Sequence, residues 1–122
     1  MNYQERLKQI KIENYIWIIY LGIIILSYCA NYYEKDYFLT KKEESKRKYR
    51  KLNSTVFIIL IIIYSYFEKE AINSFKTKNK SIEQQEYDTL SLIASTLVLI
   101  SGYIFLYIIL KDENIGTEIA FN

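Results

Sequence analysis

Three stretches without a charged residue constrain this chain more than any other feature: residues 14–33, 52–67 and 89–110, which are 20, 16 and 22 residues long. A helix needs about 20 predominantly apolar residues to cross the roughly 30 Å hydrocarbon core of a bilayer. Helices of a soluble bundle carry an apolar stripe with polar residues every two or three positions, whereas these windows carry no charge at all. The third holds 13 residues of the Leu, Ile, Val and Phe type. At about −0.3 to −0.6 kcal/mol each, they favour insertion by roughly 4–8 kcal/mol before polar penalties. The expected fold class is all-α: an integral membrane protein with three transmembrane helices, about residues 14–33, 53–72 and 89–110. They are expected to form an antiparallel bundle, with helices extending beyond the bilayer, and to make one membrane domain of the whole chain.

Aromatic residues gather where the windows end. Tyr15 and Trp17 open the first, and Tyr28, Tyr32, Tyr33, Tyr37 and Phe38 close it. Tyr87 precedes the third, and Tyr103 and Tyr107 lie near its far end. Such placement matches the interfacial belts of spanning helices.

Beyond the windows, helix signals continue. Thr40–Glu43 has the capping-box form, with Glu three residues after Thr, and predicts a second helix from near residue 41 to about Ser74. At 1.5 Å per residue that helix is about 50 Å long, so a basic stalk of two to three turns protrudes from the membrane. Glu43 with Arg47, and Glu44 with Lys48, are spaced as i,i+4 pairs on it. Ser81–Gln84 is a second capping-box match and predicts the start of the third helix. In residues 2–13, Tyr3, Leu7 and Ile10 share a helical stripe. That segment lies on the membrane interface, runs straight into the first spanning helix, or is a polar helical start whose three apolar residues are incidental. It does not read as a signal peptide, because the apolar stretch behind it is long and ends in Tyr and Asn. Residues 111–122 read as a polar, slightly acidic tail.

Charge is balanced overall, with 16 Lys and Arg against 14 Asp and Glu for a net +2, which argues against nucleic acid as a partner. The basic residues are concentrated locally instead. Lys41, Lys42, Lys46, Arg47, Lys48, Arg50 and Lys51 form a membrane-proximal basic segment over 41–51, suited to topology, to anionic lipid headgroups or to an acidic partner. The positive-inside rule then favours the 34–51 loop and the C-terminus in the cytoplasm of a multi-pass cell-membrane protein, with dual insertion as the alternative. The excess of Ile, Lys, Asn and Tyr matches an AT-rich genome and suggests a bacterial source.

Chemistry is narrowly limited. There is no His and one Cys, Cys29, so no disulfide forms within the chain and no His/Cys metal site is expected. No window holds an ionisable residue of the kind that proton relays and ion-coupled transporters keep within the membrane. No carboxylate is expected at the depth of Cys29 or of the window serines to act as a base. The chain therefore reads as non-enzymatic and without a cofactor.

The third window carries small residues on one face: Ser91, Ala94, Ser95, Val98, Ser101, Gly102 and Phe105. Ser91 and Ser95 form a small-xxx-small pair, which lets helix backbones approach closely in lipid. Gly22, Ser27 and Asn31 on the first helix are the expected opposing surface. This face serves packing either within one chain or between copies. The expected function is a small multi-pass membrane protein acting through association with itself or another membrane protein, as an accessory or immunity-type subunit. The alternative is a pore-forming, membrane-permeabilising homo-oligomer. In size and three-span layout the chain resembles some phage holins, a likeness of topology without a shared residue motif.

Overall fold

The computed structural model describes residues 3–77 and 80–112. They form three helices, α1 (Tyr3–Thr40), α2 (Glu43–Lys76) and α3 (Ile82–Lys111), with no strand among the described residues. Each helix outruns its charge-free window. The first does so furthest. At 38 residues α1 is about 57 Å long, running without a break through the amphipathic start and on past Tyr33.

That length revises the expected loop over 34–51. The connection between α1 and α2 consists of Lys41 and Lys42 alone, and most of the basic segment is already helical. Thr40 does not act as the cap of α2. Its hydroxyl donates to Asp36 O, 2.8 Å away, and so closes the last turn of α1. Lys41 N–H donates to Tyr37 O at 2.7 Å, and Lys41 adopts φ 59°, the left-handed conformation that commonly ends a helix and favours glycine. The two acids of the capping signal remain useful. Glu43 and Glu44 sit in the first turn of α2, where the positive end of the helix dipole stabilises them.

Ser81 caps α3 as its sequence predicts, its hydroxyl accepting from Gln84 N–H at 3.1 Å. The other end of α3 closes with Asp112 N–H donating to Ile108 O at 2.8 Å.

The chain divides into two compact units that part between Val56 and Phe57, inside α2. In the first unit the end of α1 and the start of α2 form an antiparallel hairpin, with Asp36 beside Ser45 and Tyr33 beside Lys48. In the second unit the rest of α2 runs antiparallel to α3. Phe57 meets Phe105 with ring centres 5.6 Å apart, and Glu68 meets Thr96.

Burial differs sharply among the helices. α2 supplies Tyr49, Val56, Phe57, Leu60, Ile61, Ile63 and Ala71 to the core. In an 18-residue apolar stretch of each of α1 and α3, by contrast, only 11% of residues are buried. Ile18, Leu21, Ile24 and Ile25 on α1 are between 62% and 64% exposed. Leu97, Ile104 and Leu110 on α3 are between 54% and 60% exposed. Both α1 and α3 are long and apolar enough to cross a membrane.

Candidate functional site

Two polar centres stand out against this apolar background, one in each unit.

In the first unit, the α1–α2 hairpin interleaves lysines with aromatic rings. Lys41 Nζ lies 5.3 Å from the Tyr37 ring centre and 5.5 Å from that of Phe38. Lys46 lies 5.9 Å from Tyr37, and Lys48 5.2 Å from Tyr33. All four distances are within the reach of cation–π attraction, which extends to about 6 Å. Lys48 also pairs with Glu44 at 3.2 Å, the one of the two predicted i,i+4 pairs seen as a salt bridge. The hydrogen bond from Lys48 to Glu44 holds the ammonium above the usual lysine range.

Two carboxylates of this hairpin face the opposite helix. Asp36 Oδ2 accepts from the buried Ser45 hydroxyl, and Glu34 faces Tyr49. Burial, and then the Glu34 charge, push the Tyr49 phenol up to about 12. The remaining cations divide by exposure: Lys42, Arg47 and Lys51 are exposed, while Arg50 is half-buried.

In the second unit, α2 and α3 are joined by contacts at three levels. Near the connection, Lys80 Nζ donates to Asp88 Oδ2 at 2.6 Å and to Ser74 O at 2.9 Å, while Gln84 Nε2 donates to Asp88 Oδ1 at 3.0 Å. Both oxygens of Asp88 are thus engaged, and the Lys80 and Gln84 bonds hold its carboxyl below the usual carboxylate range.

One level further in, Thr96 Oγ1 donates to Glu68 Oε1 at 2.7 Å and also contacts its own Leu92 O at 2.8 Å. Glu68 Oε2 is shut away from solvent and has no hydrogen-bond partner among the described residues. Thr96 lies seven residues inside the window that starts at Thr89, about 10 Å along the helix. A carboxylate therefore lies against the third charge-free window. Glu68 stands just outside its own window but leans onto the neighbouring helix inside that helix's window. A carboxylate oxygen shut away without a partner is costly to hold. The signal that would have found it is periodicity: Phe57, Ile61, Tyr64 and Glu68 continue one inward stripe of α2 at spacings of four and three.

At the third level, Gly102 is buried. A Cβ there would lie 3.3 Å from Ile61 Cγ1 and 3.4 Å from Tyr64 Cδ2, so glycine is what allows the close approach. Between these two levels, Tyr64, Phe67, Ala94, Ser95 and Val98 line an open, mostly apolar cleft of about 240 Å³.

The small-residue face of α3 is consequently divided. Gly102 and Ser95 turn toward α2, whereas Ser91 and Ser101 are exposed, with Ser101 Oγ donating to its own Leu97 O at 2.9 Å. On α1, Ser27 is half-buried, and Gly22 is exposed, with open space where a Cβ would stand. Among the described residues no three acidic or Cys side chains gather as a metal ion would require. No protein-family model, curated protein or solved structure matches the chain.

Proposed function

We propose that this chain is a non-enzymatic, three-span membrane protein that works by associating with another membrane-embedded chain, as an accessory or immunity-type subunit. The observation that carries the proposal is the outward apolar surface of α1 and α3, each with an 18-residue apolar stretch only 11% buried. Lipid solvates such a surface without cost, and water does not.

The third span is α2. Its outward stripe reads Lys51, Thr55, Ile58, Ile62, Ser65 and Lys69, all spaced by threes and fours, with Lys51, Thr55, Ile58, Ile62 and Ser65 exposed. The two lysines at its ends are 18 residues apart in sequence, about 27 Å along the helix. That distance matches the roughly 30 Å hydrocarbon core, allowing for lysines that snorkel to the interface. The window of α2 is short because much of its apolar surface faces protein: its buried residues include Val56, Phe57, Leu60, Ile61 and Ile63.

Association is favoured by where the small residues stand. Gly22, Ser91 and Ser101 are exposed on the apolar helices, and small side chains let a second helix approach closely in lipid. Cysteine replacement in a Cys29→Ser background tests this. Gly22→Cys or Ser101→Cys should form a disulfide- or bismaleimide-linked species of higher mass in native membranes. Absence of any linked species from both positions contradicts association. Entry of a membrane-impermeant dye into expressing cells would point instead to a pore.

A further inference from the structure

Six cations of the α1–α2 hairpin fall into two groups. Lys41, Lys46 and Lys48 lie over the rings of Tyr37, Phe38 and Tyr33. Lys42, Arg47 and Lys51 are exposed and form no ion pair among the described residues. The four carboxylates of this hairpin are unevenly placed. Asp36 is held by Ser45, Glu34 is half-buried beside Tyr49, and Glu44 is paired with Lys48. Only Glu43 opposes the outer cations, so the surface is more basic than its composition.

Arg47 and Lys51 are one helical step of four apart, which brings their Cβ atoms to about 6 Å on one face. Below them α2 continues outward through Thr55 to Ile58 and Ile62. Cations above an apolar stripe on one helical face match the order of an amphiphile standing in a leaflet, with its anionic head above and its chains below.

We propose that this face docks anionic phospholipid headgroups. Arg47 and Lys51 bracket the phosphate, Arg47 through its planar donors, and Lys42 at the turn adds to the field. The ring-seated lysines hold the hairpin end at the headgroup level, where aromatic and basic side chains are both at home. Each surface Lys or Arg strengthens such binding about fivefold. The proposal rests on the membrane placement of the preceding section and names the lipid class that one end of the molecule selects.

The test uses the full chain in lipid nanodiscs made of phosphatidylcholine alone or with about a third phosphatidylglycerol. Thermal unfolding, followed by circular dichroism, should have its midpoint raised by several degrees in the anionic discs. High salt should remove that gain, because exposed charges are screened within a few ångströms at molar salt. Arg47→Gln/Lys51→Gln should lose most of the gain while unfolding normally in phosphatidylcholine. Equal midpoints in the two lipids, or an undiminished gain in the double variant, would overturn the proposal. If the double variant is unstable in phosphatidylcholine too, Lys42→Gln alone must reduce the gain, and an unchanged gain there also overturns it. A chain that fails to enter discs at all refutes the membrane placement itself, so the two failures are distinguishable.

Discussion

Thr96 on α3 donates a 2.7 Å hydrogen bond to Glu68 on α2, joining two helices through a carboxylate whose other oxygen has no partner among the described residues. Hydrogen bonds to charged groups contribute about 1.5–3 kcal/mol, and stranding a buried polar group costs a similar amount. Thr96→Val is nearly isosteric and removes only the donor, so it should destabilise the α2–α3 pair by about 1–3 kcal/mol. In a Glu68→Gln background, where no charge is stranded, the same substitution should cost less. Thermal unfolding of the four proteins in detergent gives the coupling directly, and a Thr96→Val penalty that is the same in both backgrounds contradicts it.

Gly102 and Gly22 should respond in opposite ways to a single methyl group. A Cβ at Gly22 meets open space within the chain, so in detergent that disperses the protein as monomers Gly22→Ala should stabilise α1 by up to about 1 kcal/mol through helix propensity. At Gly102 the added Cβ lies 3.3 Å from Ile61, and the gain should be cancelled. Gly102→Leu overpacks the site and should cost about 1–3 kcal/mol. The same unfolding measurement separates the positions, and equal effects would contradict the close approach at Gly102.

Lys41 is the one described non-glycine residue with positive φ, at 59°. The left-handed region costs an ordinary residue about 1–2 kcal/mol. Lys41→Gly should therefore gain up to about 1 kcal/mol, reduced by the lost ring contacts with Tyr37 and Phe38. Lys41→Val, β-branched and without the ammonium, should lose stability. If valine is tolerated as well as glycine, the turn is not held in this conformation.

Acid should loosen the α2–α3 connection. The Asp88 carboxyl is held below its ordinary value by Lys80 and then Gln84, so the folded state favours its charged form. A depressed carboxyl contributes its full stability above the unfolded value, about 3.9, and loses it as pH falls through the lower folded value. Stability measured from about pH 6 downward should drop in that acid range, and Asp88→Asn should flatten this part of the curve. An unchanged acid limb in Asp88→Asn removes the assignment.

The contrast between what sequence revealed and what it hid follows from what each signal depends on. Helix α3 was legible at its start because its cap is local: Ser81 and Gln84 are three residues apart, and their bond needs nothing else. The charge-free windows marked α1 and α3 as long apolar helices for the same reason. Thr40 misled because the hydroxyl of a threonine bonds equally well to a carbonyl four residues back, and the choice was made by α1 continuing beyond Tyr33. Glu68 was hidden because its partner lies 28 residues away. No single window contains both, and the antiparallel register that joins them is a tertiary fact. The small-residue face of α3 was legible as a set, but its division into an inward Gly102 and an outward Ser101 depends on where α2 lies.

If α2 crosses the bilayer, as proposed, Lys42 and Ser81 stand on opposite sides of it. Single cysteines at these two positions, in a Cys29→Ser chain, can be probed with a membrane-impermeant maleimide in intact cells and again after permeabilisation. Only one of the two should be labelled in intact cells, with Ser81→Cys outside if the basic hairpin faces the cytoplasm, and both should be labelled once the membrane is opened. Equal labelling of the two positions in intact cells, whether both react or neither does, would contradict a spanning α2.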